Sequence, residues 1–273
     1  MPLNLLFSID DHFVPQFKTT LFSIVANTAA TDLAVYVIQK NRLVADDDIH
    51  QFCQQFNIAY YPVIIGEDPT FKDAPVSKRY PEAIYYRLLA HKYLPQDLTK
   101  ILYLDADILC INDLLPLYNL DLGTDLYAAA SHASLTNVPD VVNKIRLGTY
   151  EADGYFNSGV LLMNLPLIRQ TVSEKAIFDR LAMPLNPLLL PDQDVLNALY
   201  GHQILTIPDE VYNYDVRKPA IYEAISHGTW DLDWLVQNNV FLHFCGKEKP
   251  WLPSAKNKFS LLYKHYQHLA GQS

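Results

Sequence analysis

At 273 residues, half of them hydrophobic and 12% aromatic, the chain is long enough for a sizeable core and unlike a disordered sequence. Its net charge of −9 argues against a general nucleic-acid binder, while leaving room for a local basic pocket around a phosphorylated ligand. Cys53, Cys110 and Cys245 lie far apart without CxxC spacing, which excludes a disulfide framework or structural zinc site and suits a reducing, cytoplasmic protein. No apolar stretch reaches the roughly 18 residues of a membrane span. The start, "MPLNLLFSIDD", has no basic segment before its apolar run, so no leader is expected.

In chain order, "LNLLFSI" (3–9) reads as a buried strand. A helix follows over 15–28, with Pro15 in its first turn and Phe17, Leu21, Ile24 and Val25 on one face. "LAVYVIQ" (33–39) is strand-like, Ile49, Phe52, Cys53 and Phe56 have helical spacing, and "AYYPVII" is the next strand. Pro81 can open a helix that turns Ile84, Tyr85, Leu88 and Leu89 inward. "ILYL" (101–104), "LYAAAS" (126–131) and "GVLLMNL" (159–165) follow as apolar strands.

A second layer is expected after these: a helix over 193–200, the strand "QILTI", a loop of aromatics and prolines to about 239, and "VFLHFCG". Phe259, Leu262, Tyr263 and Tyr266 outline a closing amphipathic helix. Strands alternating with helices predict an α/β fold around a mostly parallel sheet whose central strands are apolar on both faces. One domain is expected over 1–273, with a first half to about 165 and an acceptor-side half with a small carboxyl-terminal lobe from about 166.

"ILYLDADILC" runs four apolar residues into Asp105 and Asp107. Ligands of open α/β sheets bind beyond the carboxyl ends of strands, and residues i and i+2 of an extended chain share a side. The two carboxylates can therefore converge on a cation, oxygen ligands suiting Mg²⁺, Mn²⁺ or Ca²⁺. The plainer alternative is two solvated loop aspartates. No GxxxxGK[ST] or GxGxxG occurs, so bound phosphates would be held by metal and side chains. A dehalogenase-type phosphatase fits poorly, because Leu109 stands where its motif wants Thr or Val.

In "GYFNSGVLLMN", Asn157, Ser158 and Gly159 open a buried strand, where they can shape a turn or bond ligand hydroxyls. "LPDQDVLNALY" places Asp192 as a helix N-cap, with Gln193 and Asp194 in the first turn, as the helix dipole alone would favour. "FLHFCGKEKPW" follows a strand with His243, Gly246, Lys247 and Lys249, which suit either a structural histidine or one metal ligand beside cations for a diphosphate.

Together "LYLDADIL", "FNSGVLLMNL", "PDQDVLN" and "HFCGKEKPW", with "FSIDDHF" and "YYRLL", resemble the retaining glycosyltransferases of family eight over roughly residues 3–252. That group includes bacterial lipooligosaccharide galactosyltransferases and glycogenins. The resemblance implies a GT-A, Rossmann-like fold and transfer of glucose or galactose from a UDP-sugar to a glycan, lipid-linked or protein-linked hydroxyl.

It further implies that Asp105, Asp107 and His243 hold a divalent cation. Mn²⁺ is favoured by the mixed oxygen and imidazole set, with Mg²⁺ as the substitute. Ser8, Asp10, Phe13, Arg87, Ala106, Asp107, Gly246 and Lys249 would bind the nucleotide-sugar, Phe13 stacking on the base and Arg87 reaching the phosphates or donor sugar. Asn157, Asp192 and Gln193 would face the reacting carbon, with the front-face route preferred to an Asp192 nucleophile. His12 and His132 depart from the family's usual residues near the donor. The tail "KHYQHLAGQS" lacks the basic, aromatic character of membrane-touching relatives, so at most weak peripheral contact is expected. A non-catalytic nucleotide-sugar binder and a sugar nucleotidyltransferase are the competing readings; the latter would want a glycine-rich loop that "SIDDHFVPQF" lacks.

Overall fold

The computed structural model describes residues 2–71, 82–131, 154–182 and 190–271. Ten strands occur among them: β1 (Leu3–Ser8), β2 (Leu33–Gln39), β3 (Ile58–Ile64), β4 (Lys100–Leu104), β5 (Ile108–Cys110), β6 (Tyr127–Ala130), β7 (Val160–Asn164), β8 (Ile204–Ile207), β9 (Tyr214–Asp215) and β10 (Phe241–His243). Seven form one sheet in the order β3-β2-β1-β4-β7-β6-β8, and β5-β10-β9 form a second.

In the large sheet only β7 runs against its neighbours, pairing antiparallel with β4 and β6. The carboxyl ends of β1, β4 and β6 therefore share one edge with the start of β7. Every residue of β2 is buried and β1 exposes only Ser8 in part, as expected of strands covered on both faces. Leu5, Phe7, Val35 and Val37 enter one core, while Leu6, Ala34, Tyr36 and Ile38 enter the other. β3 lies at the edge, alternates in burial and tolerates Pro62.

The helix Val14–Asn27 buries Val14, Phe17, Leu21 and Ile24, the i, i+3/i+4, i+7 stripe that a sheet-packing helix needs. Val25 is only half-buried. The helix's polar residues also matter. Thr20 Oγ1 lies 3.0 and 2.7 Å from the carbonyl oxygens of Ala106 and Ile108, and Ser23 Oγ accepts the Cys110 N–H at 3.0 Å. These bonds pin the turn between β4 and β5, where Asp105 and Asp107 lie.

Three expectations are corrected. "QILTI" joins the edge of the main sheet, β8 pairing parallel with β6, rather than forming a second layer. The stretch to about 239 is not a loop: it holds helices Asp209–Tyr212, Pro219–Ile225 and Leu232–Asn238 besides β9. Pro219 starts one of them, and the Asp231 carboxylate caps another by accepting the Trp234 N–H at 2.9 Å. The helix expected from 193 runs Pro191–Tyr200 with Leu190 as its N-cap, so Asp192 is not the cap. Proline takes the first helical position, and the aspartate is turned inward.

Pro81, proposed as a helix opener, lies outside the described residues; beyond it, 3₁₀ turns flank a short helix, Tyr86–Leu89. The closing helix is Lys258–Leu269. Phe259 and Tyr263 join Leu109, Tyr214, Tyr222, Leu242 and Phe244 in a third core under the small sheet. No helix of the described residues is long and apolar enough to cross a membrane. Cys53, Cys110 and Cys245 are free thiols, the first two buried.

Candidate active site

The site forms where the two sheets meet at the carboxyl ends of β1 and β4. β4 ends at Leu104, and Asp105 to Asp107 make a turn before β5 begins in the small sheet. The carboxylates thus converge across a turn, not along an extended strand as the i, i+2 argument supposed. Besides Thr20, two backbone bonds hold the turn, Asp105 N–H to Gly159 O at 2.8 Å and Phe244 N–H to Asp107 O at 3.0 Å, together with the β5–β10 ladder, which places His243 opposite Ile108.

His243 Nε2 faces the carboxylates, 3.3 Å from Asp107 Oδ1 and 3.9 Å from Asp105 Oδ2. The other oxygens are engaged elsewhere. Asp105 Oδ1 meets Arg87 Nη2 at 2.9 Å and accepts the Tyr103 hydroxyl at 2.8 Å, and Asp107 Oδ2 pairs with Lys249 Nζ. Among the described residues Asp105, Asp107 and His243 form a cluster whose donor atoms lie within 4.8 Å of one another. One free oxygen from each carboxylate and one imidazole nitrogen, fixed from behind by other partners, is a donor set that fits a divalent cation.

Charge balance supports this. Burial favours the neutral form of Asp107, but His243 and Lys249 outweigh it and hold the carboxyl well below the usual range. Burial also opposes a charge on His243; Cys245 and Asp107 overcome it and push the imidazole well above its ordinary value, so a cation binding at Nε2 displaces a proton from it. The site is therefore built to keep Asp107 ionised and to attract positive charge.

Arg87 is buried and braces the site. Besides Asp105 it donates from Nη1 to Ser158 O at 3.0 Å, sets Nε 3.4 Å from Asp192 Oδ2, and stacks 4.5 Å over the Tyr103 ring. Asp192 Oδ2 also accepts the Ser158 hydroxyl at 3.0 Å. Burial raises the Asp192 carboxyl; Arg87 opposes that and Asp105 adds to it.

Asn197 clamps the neighbouring segment, accepting the Phe156 N–H at 2.7 Å and donating to Phe156 O at 2.8 Å. That clamp sets Asn157 and Ser158 against Gln193, whose Oε1 accepts from Asn157 Nδ2 at 3.2 Å and from Ser158 N at 3.3 Å. The Gln193 amide nitrogen has no partner among the described residues.

At the end of β1, Asp10 accepts the His12 N–H at 3.0 Å. Ser8 Oγ donates to Ala83 O at 2.7 Å. Phe13 is 39% exposed and meets Trp251 edge-on at 6.3 Å. Lys249 also donates to Phe244 O at 2.9 Å. Gly246 has φ +86, so its backbone favours glycine, while the half-exposed Arg217 guanidinium 2.7 Å from a Cβ built there could shift aside. Ala106 is buried within the turn. His132 lies outside the described residues.

The structure gathers Asp105, Asp107, His243 and Lys249 at the carboxylate turn around buried Ala106, and ties Arg87, Asp192, Asn157 and Gln193 to it through Asp105 and Ser158, while Ser8, Asp10, Phe13 and Gly246 bond or pack elsewhere. It adds Tyr103 beside Asp105, Asn213 between His243 and Asn157, and Arg217 beside Gly246. Tyr103 was readable, since it stands two residues before Asp105 on a strand; Asn213 and Arg217 sit in the stretch taken for a loop and carried no signal. Tyr214 and Tyr222, among the aromatics of the stretch expected as a loop, are fully buried and stacked on each other at 4.1 Å, so they are core.

The family model for glycosyl transferase family 8 matches residues 4–255, nearly the whole chain. The chain belongs to glycosyl transferase family 8. A lipopolysaccharide 1,2-glucosyltransferase of Escherichia coli is 30% identical over 258 residues, covering 91% of this chain and 73% of its own length. A lipopolysaccharide 1,3-galactosyltransferase of Salmonella typhimurium is 24% identical, with 91% and 72% covered. Among solved structures, the galactosyltransferase LgtC in complex with donor and acceptor sugar analogues superposes with a TM-score of 0.78 at 23% identity, over 98% of this chain and 95% of that one. The GT-A fold and a glycosyltransferase activity follow from this membership.

Proposed function

We propose that this family 8 enzyme is a metal-dependent, retaining hexosyltransferase. It moves glucose or galactose from a UDP-sugar to a hydroxyl of a glycan or glycoconjugate in bacterial cell-surface polysaccharide synthesis, on the cytoplasmic side. The carrying observation is the Asp105–Asp107–His243 cluster, with one donor atom of each group turned to a common point. The names of the relatives, lipopolysaccharide glucosyl- and galactosyltransferases, support the two hexoses and the acceptor class.

In this reading the three residues hold Mn²⁺, or Mg²⁺ in its place. When bound, the ion supplies Lewis-acid stabilisation of the charge that develops on the departing diphosphate. Lys249, already at the Asp107 carboxylate, adds a second positive charge there, and the Gly246 backbone lets the loop approach the phosphates closely. Phe13 stacks on the uracil at the outer rim, and Asp10 and Ser8 line the end of β1 beneath it.

The Gln193 amide and the Asn157 side chain lie beside the reacting carbon and orient the hexose. Arg87 and Ser158 engage Asp192 Oδ2, which lowers its value as a covalent nucleophile and supports attack from the leaving-group face. The leaving phosphate then takes the acceptor proton.

The test is transfer from UDP-glucose and UDP-galactose to truncated lipopolysaccharide core oligosaccharides, with the product's anomeric coupling read by NMR. An α-linked hexose is expected from the α-linked donor. A β-linked product would overturn retention, and UDP release without transfer to any such glycan would overturn the acceptor class.

A further inference from the structure

The amide of Asn213 joins the metal ligand His243 to the groups that face the donor sugar. It sits between the short helix Asp209–Tyr212 and β9, its N–H bonded to Asp209 O at 2.9 Å. Its neighbour Tyr214 is locked between Tyr222 and Phe259, and the register pairs Leu242 with Tyr214 and His243 with Asp215. The Asn213 side chain is 0% exposed. One end lies 2.7 Å from His243 Nδ1, and the other 2.9 Å from the side-chain oxygen of Asn157.

The direction of every bond in this chain can be deduced from backbone groups, which cannot flip. Gly159 N–H can only donate, and it reaches Asn157 at 2.9 Å; that atom of Asn157 is therefore the oxygen, and its amide nitrogen faces Gln193. Ser158 N–H reaches the same Gln193 atom, which confirms an oxygen there and turns the Gln193 amide nitrogen outward. The Asn157 oxygen then requires a donor from Asn213, so Asn213 presents its own oxygen to His243. Nδ1 must carry a hydrogen, and Nε2 is the nitrogen left facing Asp105 and Asp107.

We infer that Asn213 is a positioning residue that does two jobs with one amide: its oxygen fixes the Nδ1–H tautomer of His243 so that Nε2 can ligate, and its nitrogen fixes Asn157 and, through it, the Gln193 amide. A carboxylate at 213 would separate them. It still accepts from Nδ1–H but cannot donate to Asn157, whose oxygen would then face a negative charge.

This rests on the metal assignment made above, and three measurements keep the two apart. Absence of metal-dependent UDP binding in the unaltered chain would defeat the metal assignment. With that binding present, Asn213→Asp is expected to keep Mn²⁺-dependent UDP affinity within about threefold while kcat for donor hydrolysis falls roughly 100-fold. Asn213→Ala is expected to lose both, the affinity by roughly 10- to 100-fold as for other partners of metal ligands.

Equal loss of UDP affinity in the two variants, or kcat unchanged in Asn213→Asp, would overturn the inference. Neither variant need fold for the third measurement. Long-range ¹H–¹⁵N histidine spectra of the unaltered Mg²⁺–UDP complex should show His243 with hydrogen on Nδ1 alone, and hydrogen on Nε2 would overturn it.

Discussion

Gly159→Ala is expected to lower kcat/KM by roughly 100-fold or more although it adds one methyl group, because a misplacement near 1 Å in a catalytic constellation costs about that much. The glycine has no positive φ, so the constraint is space alone. A Cβ would stand 2.5 Å from His243 Cε1, 2.8 Å from Asp105 Oδ2 and 3.0 Å from Asn157 Oδ1. None of the three can yield easily: His243 is bonded to Asn213, Asp105 to Arg87 and Tyr103, and Asn157 to Asn213 and Gln193.

The methyl must therefore push apart Asp105, His243 and Asn157, the groups proposed to hold the ion and orient the sugar. The folding cost of such overpacking is about 1–3 kcal/mol, so the variant should fold with a lowered Tm. Steady-state kinetics with a melting curve decide the matter. Near-normal kcat/KM in a folded Gly159→Ala chain would show that these groups do not meet as described.

Asp107→Asn is expected to lose most metal-dependent UDP affinity and roughly 1,000-fold in kcat/KM, which is about 4 kcal/mol of transition-state stabilisation. The amide keeps an oxygen at the ligand position but removes the charge that balances His243 and Lys249 on either side. Calorimetric titration of UDP with and without Mn²⁺ reads the loss directly. An affinity equal to that of the unaltered chain would contradict the assignment of Asp107 as a ligand.

Much of this was legible in the sequence because the central strands are continuous apolar runs, and polar residues at their ends stand out. "ILYLDADIL", "FNSGVLL" and "FLHFCG" each mark such a boundary, and the structure gathers all three. The region between 209 and 239 was not legible. Its helices are four to seven residues long, too short for a periodic stripe, and its aromatics serve a core that depends on partners from β5 and the last helix.

Two further features lay beyond any local reading. The inward turn of Asp192 depends on Arg87 and Ser158, 105 and 34 positions away in sequence. The role of Asn213 depends on contacts with residues 30 and 56 positions distant. Spacing carries no trace of either.

The most direct test of the central claim is UDP release by the unaltered chain from UDP-glucose and UDP-galactose without acceptor, first with Mn²⁺ and then with EDTA. Slow hydrolysis of one of the two donors, abolished by EDTA and restored by Mn²⁺, is the predicted result. Release that proceeds equally in EDTA would contradict a metal-dependent site at Asp105, Asp107 and His243.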